Sequence, residues 1–200
     1  MTYKKKDYYA IKAKEEKYPA RSVYKLQEID KKQSLIKKGY IILDLGCCPG
    51  SWLKYCSAKI GPSGKVIGID TQTLSLSIPP NAQFIQEDIF SSPAINTFAT
   101  KNTFFDLIIS DLAPATSGIK NRDHQRSLQL AFRALEIAEV LLKPGSNFLC
   151  KFFQGEDNNV LFVKIKSLFS KMVLEKPKSS RKQSVELFVV GLGKKIVAST

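Results

Sequence analysis

Asp70, Asp88, Asp111, Lys151 and Glu186 have both the side-chain type and the setting to do chemistry. Each ends or interrupts an apolar run, as in Lys65-Val66-Ile67-Gly68-Ile69-Asp70 and Phe104-Phe105-Asp106-Leu107-Ile108-Ile109-Ser110-Asp111. Such runs read as buried strands, and open parallel sheets bind ligands where the carboxyl ends of their strands leave the sheet. Asp70 falls twenty residues after Gly50, a separation at which an acid accepts from both hydroxyls of a ribose. Asp88 follows Phe84-Ile85-Gln86-Glu87, where a carboxylate either accepts from an exocyclic amine beside an adenine pocket or stands in water. Lys151 sits among Phe148, Leu149, Phe152 and Phe153. Burial disfavours the charged form of a lysine, which suits a base; a strand-edge lysine reaching water is the alternative. Glu186 is a lone acid in Val185-Glu186-Leu187-Phe188-Val189-Val190.

These side chains need a scaffold, and its signature is Ile41-Ile42-Leu43-Asp44-Leu45-Gly46-Cys47-Cys48-Pro49-Gly50-Ser51-Trp52. An apolar strand enters a turn rich in Gly and Pro and leaves into a helix, the unit that opens a nucleotide-binding half. Gly46 and Gly50 admit positive φ and let a ligand approach backbone, while amides at the helix start favour electron-rich groups. The turn is neither G-x-G-x-x-G nor a phosphate-cradling loop ending in Gly-Lys-Ser/Thr, so dinucleotide and ATP sites are disfavoured.

Periodicity places the remaining elements. A helix follows Ser22, a usable cap, with Val23, Leu26 and Ile29 on one stripe; Lys25 lies off it and reads as a surface lysine. Helices are expected over Ser51–Lys59, Ile95–Asn102, Ser127–Leu142 and Asp157–Phe169, and strands over Val66–Ile69, Phe84–Ile89, Phe104–Ser110, Asn147–Phe153, from Met172 and over Val185–Val190. Strands separated by helices imply a mostly parallel sheet with helices on both faces. The last two strands, joined without room for a crossover helix, imply an antiparallel hairpin. The expected class is therefore α/β and Rossmann-like, with seven strands.

With 200 residues, 44% hydrophobic, and no linker composition, the economical count is one domain over 21–200 behind a basic arm over 1–20. The formal charge of +13 suits a polyanion, with nucleic acid first. In the arm, Lys4-Lys5-Lys6 and Lys12 to Lys17 interleave with Tyr3, Tyr8, Tyr9 and Tyr18, so lysines can neutralise phosphates while tyrosines stack on bases; a frayed terminus is the alternative. The basic, hydroxyl-rich stretch Lys176 to Ser184 also suits phosphates. No apolar run of membrane-spanning length occurs, and no secretory signal opens the chain. Cys47, Cys48, Cys56 and Cys150 form no C-x-x-C block and His124 stands alone. No metal site is expected, and the cysteines suit a reducing compartment.

Ala20-Arg21-Ser22 through Lys25-Leu26, Asp44-Leu45-Gly46 through Pro49-Gly50-Ser51-Trp52, Ser110-Asp111-Leu112-Ala113-Pro114, and Lys151 with Phe153-Gln154-Gly155-Glu156 stand in a particular order. With Lys176-Pro177, Ser179-Ser180-Arg181 and Glu186, they resemble the FtsJ/RrmJ family of RNA ribose 2'-O-methyltransferases from Arg21 to about Gly191. The resemblance implies S-adenosyl-L-methionine as cofactor and a catalytic tetrad on Lys25, Asp111, Lys151 and Glu186. It places cofactor contacts on Gly46, Pro49, Gly50, Ser51, Trp52, Asp70, Asp88 and Asp111. Cys47-Cys48 departs from the small alanines usual there.

A ribose 2'-hydroxyl must lose its proton as it attacks a sulfonium methyl in line, so a positioned base is required. Lys151 is the candidate, with Lys25 as a neighbouring cation, Asp111 orienting Lys151, and Glu186 positioning Lys25 or the hydroxyl. The expected substrate is a uridine in large-subunit ribosomal RNA, with the tRNA anticodon loop as alternative. A noncatalytic RNA-binding module is the reading from another class. A cytoplasmic monomer is expected, with a mitochondrial or other organellar location as alternative.

Overall fold

The computed structural model describes residues 7–74, 77–181 and 183–196; Tyr3 and Lys4 to Lys6 of the arm lie outside them. The elements run α1 Tyr8–Glu15, α2 Val23–Gln33, β1 Ile41–Leu45, α3 Ser51–Ile60, β2 Lys65–Asp70, β3 Ala82–Gln86 and α4 Pro93–Thr100. They continue with β4 Phe105–Ser110, α5 Lys120–Leu141, β5 Leu142–Phe153, α6 Asn158–Leu168, β6 Phe169–Glu175 and β7 Glu186–Lys194. They build one seven-stranded sheet in the order β3-β2-β1-β4-β5-β7-β6. β1 to β5 pair in parallel, and β7 enters antiparallel between β5 and β6. Among the described residues, no helix is long and apolar enough to cross a membrane.

Alternation along each strand divides the core in two. Leu43, Leu45, Ile108, Phe148, Cys150, Phe152 and Val189 face α4, α5 and α6. Ile42, Val66, Leu107, Ile109, Leu149, Phe188 and Val190 face α2 and α3. Continuing the second set by twos brings each strand to Asp44, Asp70, Asp111, Lys151 or Glu186. One face therefore gathers these charges, and α2, which covers that face, carries Lys25. Because β7 runs antiparallel, its first residue reaches the carboxyl edge of β5, where Glu186 stands opposite Phe153.

Several local expectations change. The arm is helical in part: Asp7 caps α1 by accepting from the Ala10 amide, and Ala13 packs against Val23 and Tyr24. Ser22 holds the N-cap position of α2 in the αR region at φ −58° and ψ −23°, away from the extended conformation of a capping residue, and makes no side-chain cap; its backbone carbonyl takes the Trp52 indole N–H at 2.9 Å. α5 begins at Lys120, not Ser127. The Asp123 carboxylate accepts from the Ser117 amide at 2.7 Å and the Gly118 amide at 3.1 Å, pinning the preceding loop. β3 stops at Gln86, opposite Asp70, where β2 also ends, so Asp88 lies beyond the strand. β5 starts at Leu142 and shifts register through Lys143-Pro144-Gly145. β6 starts at Phe169, directly after α6.

Candidate active site

Two ion pairs meet at the carboxyl edge. Lys25 Nζ lies 2.6 Å from Glu186 Oε1 and 2.8 Å from Oε2, and the Ser180 hydroxyl donates to Glu186 Oε1 at 2.9 Å. Lys151 Nζ lies 2.9 Å from Asp111 Oδ1 and donates to the Asp111 carbonyl at 2.6 Å. Only 7% of the Lys151 side chain is exposed, so its ammonium is held among apolar walls by a single residue. Burial alone would raise the Glu186 carboxyl, but the charge and hydrogen bond of Lys25, the Ser180 hydroxyl and the charge of Lys151 hold it below its ordinary value. The Lys151 charge felt at Glu186 places the two pairs in one electrostatic neighbourhood. The expected pairing of Lys25 with Glu186 and of Asp111 with Lys151 is the arrangement present.

Asp44 is the member that sequence reasoning passed over. It is fully buried, and neither carboxylate oxygen has a hydrogen-bond partner. Desolvation, then the charges of Asp111 and Asp70, push its carboxyl well above the usual range. Its signal was its parity with Ile42, which sends it to the same face as Asp111. Asp44, Asp70 and Asp111 thus form a row of acids across β1, β2 and β4. An orphaned carboxyl in such a row is suited to a cationic ligand, since a buried polar atom left unpaired is costly.

The loop after β1 is shaped for close approach. Gly46 has φ of +78°, and a Cβ there would fall 2.7 Å from Leu112 Cδ2 and 3.1 Å from the Leu112 amide nitrogen. Gly50 holds φ of +106° as the residue before α3, which leaves the first amides of that helix facing the edge. Asp70 accepts from the Cys48 amide and the Gln72 amide, each at 2.9 Å; a carboxylate retains lone pairs for ribose hydroxyls beyond these. Asp88 is exposed and accepts from the Phe90 amide at 3.0 Å.

Other expected contacts serve the frame through their side chains. The Trp52 ring is buried beside Phe188, with centroids 5.9 Å apart. Ser51 Oγ accepts from the Ala20 amide at 2.7 Å and donates to the Ala20 carbonyl at 3.0 Å, and Pro49 lines a groove shared with α1. Sequence reasoning also missed Glu28, which takes the amides of Lys178 and Ser179 at 2.7 and 2.9 Å and fixes the basic loop beside Glu186. Cys47, Cys48 and Asp70 bring possible ligand atoms within 4.8 Å of one another. Burial, followed by the Asp70 charge, pushes the Cys48 thiol up to about 11, and burial raises Cys47 as well, so both stay protonated at neutral pH.

A doubly wound parallel sheet whose strand order reverses between β1 and β4, with a Gly-rich turn after β1, a row of acids and an antiparallel C-terminal hairpin, defines a Rossmann-like methyltransferase. The pattern of the FtsJ-like methyltransferase family matches residues 18–194, and the chain belongs to that family. Ribosomal RNA large subunit methyltransferase E of Oleidesulfovibrio alaskensis is 47% identical over 191 residues, covering 95% of this chain and 92% of that protein. A ribosomal RNA methyltransferase from Plasmodium falciparum superposes with TM-score 0.76 at 30% identity, over 88% of this chain and 98% of that one. Human methyltransferase-like protein 13, in complex with SAH, shares the fold with TM-score 0.60 at 13% identity, over 88% and 85% of the two chains. The chain is thus an S-adenosylmethionine-dependent methyltransferase, and the acid row with its orphaned Asp44 carboxyl fits that cofactor.

Proposed function

We propose that the chain methylates the 2'-hydroxyl of a ribose, that of a uridine, in large-subunit ribosomal RNA. The observation that carries this reading is the pair of lysines, Lys151 buried and Lys25 half-buried, each locked to its own acid at the edge where the acid row lies. A protein that only bound RNA would place its lysines outward against phosphates, whereas here 7% of Lys151 is exposed. The ribosomal substrate is taken from the names of the relatives, and with it a place in the compartment where ribosomes are built, the cytoplasm.

When bound, S-adenosylmethionine supplies an electrophilic methyl group on a sulfonium. Asp44 and Asp111 would offer carboxyl oxygens to its positive charges, Asp70 would accept from its ribose hydroxyls, and Asp88 would lie toward the adenine end. Asp111 fixes Lys151 Nζ through both its carboxylate and its carbonyl, which aims the nitrogen without a second residue. Lys151, in its neutral amine form, takes the proton that leaves the 2'-hydroxyl as the oxygen attacks. Glu186 holds the Lys25 ammonium, which donates toward the target ribose and orients its hydroxyl.

The test is transfer of labelled methyl to large-subunit ribosomal RNA and, in parallel, to tRNA, by the wild type and by Lys151→Ala. Alkali-resistant label in ribosomal RNA, lost in the variant by on the order of a hundredfold or more with cofactor affinity unchanged, is the expected result. Label in tRNA alone moves the substrate to the anticodon loop. Undiminished transfer by Lys151→Ala removes Lys151 as the base.

A further inference from the structure

Two grooves flank α1. One, of about 610 Å³, runs between α1 and α2 and is lined by Tyr9, Lys12, Tyr24, Glu28 and Lys32 among others. Its charges are compensated in part: Lys12 lies 3.7 Å from Glu16, Lys32 lies 2.6 Å from Glu175, and Glu28 stands in the lining itself beside Lys31 and Lys178. The other, of about 590 Å³, opens between the C-terminal end of α1 and the cofactor loop, with Lys14, Lys17, Tyr18 and Arg21 on one side and Pro49 on the other. No carboxylate lines this second groove. Lys14 and Lys17 are exposed and form no ion pair among the described residues.

The walls of the second groove are tied in place by hydrogen bonds. α1 ends with the Tyr18 amide donating to Ala13 O at 2.7 Å and the Lys17 amide to Lys14 O at 3.1 Å, which sets Lys17 in the left-handed region at φ 57°. Ser51 clamps Ala20 from the start of α3, and Lys54 Nζ lies 5.1 Å from the centre of the Tyr18 ring. Pro49 immediately precedes Gly50, so one wall of the groove is the loop that receives the methyl donor. Arg21 lies one helical turn ahead of Lys25, so the opposite wall leads into the lysine pair. A polynucleotide presenting one ribose to Lys25 and Lys151 therefore has its neighbouring nucleotide at this wall.

We propose that the groove between α1 and Pro49 seats the nucleotide flanking the methylated one, with its phosphate between Lys14 and Lys17 and its apolar surface against Pro49 and Tyr18. This rests on the reading of the chain as an RNA methyltransferase and names how that substrate is held. The groove between α1 and α2 takes no part in it. Single-stranded RNA is the form that fits, because the target ribose must leave a duplex to meet the buried Lys151 and the half-buried Lys25.

The experiment compares the wild type, Lys14→Ala/Lys17→Gly and, on the other groove, Lys31→Ala/Lys32→Ala. Glycine is chosen at position 17 because it adopts the left-handed conformation without cost, so removal of the charge leaves the helix end intact. RNA binding is followed against salt by filter retention, and turnover against RNA concentration. Loss of the one phosphate held between the two lysines lowers the log–log salt slope on a single strand by about 0.7. The RNA KM rises on the order of tenfold, equivalent to about 1.4 kcal/mol, while kcat at saturating RNA and cofactor affinity stay unchanged. The Lys31→Ala/Lys32→Ala protein keeps the wild-type slope and KM. An unchanged slope and KM in Lys14→Ala/Lys17→Gly, or the larger effect in Lys31→Ala/Lys32→Ala, overturns the groove assignment. A wild type that neither methylates nor binds RNA overturns the functional reading instead, and the binding arm decides the groove without turnover.

Discussion

Replacing Asp44 by Asn removes a carboxyl that folding buries completely and leaves without a hydrogen-bond partner. In the unfolded chain this group ionises near its ordinary value of 3.8. In the folded chain desolvation, then the charges of Asp111 and Asp70, hold it well above that. Between the two values the folded state keeps a proton that the unfolded state has lost. Stability from this group is therefore fully present below the ordinary value and is lost as pH rises toward the folded one, by about 1.4 kcal/mol per pH unit. Asparagine carries no such proton, so the difference in unfolding free energy between Asp44→Asn and wild type moves in favour of the variant as pH rises. Each pH unit inside that window amounts to about 1.4 kcal/mol, or about 0.7 M in urea midpoint for a slope of about 2 kcal/mol per M. Urea unfolding of both proteins from pH 4.5 to 7.5, without cofactor, measures it. The packing difference between carboxyl and amide is independent of pH and drops out of the slope. Parallel stability profiles for the two proteins would refute the raised carboxyl and the reasoning built on its orphaned oxygens.

Glu186→Gln probes the opposite sign. The folded carboxyl lies below its ordinary 4.5, so its stabilisation is present above that value and lost as pH falls through the folded one. At pH 7 the variant should be less stable by about 1–3 kcal/mol, the scale for loss of a hydrogen-bonded charge partner, and the gap should close in acid, as urea unfolding at several pH values will show. Gly46→Ala combines a left-handed φ with a clash on Leu112, including its backbone nitrogen. It should lose on the order of 2–4 kcal/mol and bind cofactor weakly by calorimetry. Adding Leu112→Ala should recover part of the stability only, since the amide contact remains.

Much of the site was legible because chemistry and periodicity share the same residues. The acid at the end of each apolar run, the lysine inside one, and the Gly-Pro turn after β1 could all be read directly, and the sheet followed from strands alternating with helices. Trp52 and Ser51 were legible as members of the loop but not in what their side chains do, since the partners at Ser22 and Ala20 belong to a segment thirty residues away. The early start of α5 escaped periodicity because Asp123, a polar residue inside a polar stretch, anchors it through the Ser117 and Gly118 amides. Lys25 was unreadable from its own helix, where it lies off the apolar stripe.

What the sequence by itself determined is the parity: residues two apart on a strand share a face, so the charges in line with Ile42, Val66, Leu107, Leu149 and Phe188 were bound to one side of whatever sheet formed. What only the tertiary structure decided is their meeting. β7 had to turn antiparallel and insert between β5 and β6 for Glu186 to reach the carboxyl edge, and α2 had to lie over that face for Lys25 to find it, 161 residues away in the chain. Local pattern fixes direction along and across a strand; strand order and helix placement come from burying both faces of the sheet at once, a condition no single segment carries.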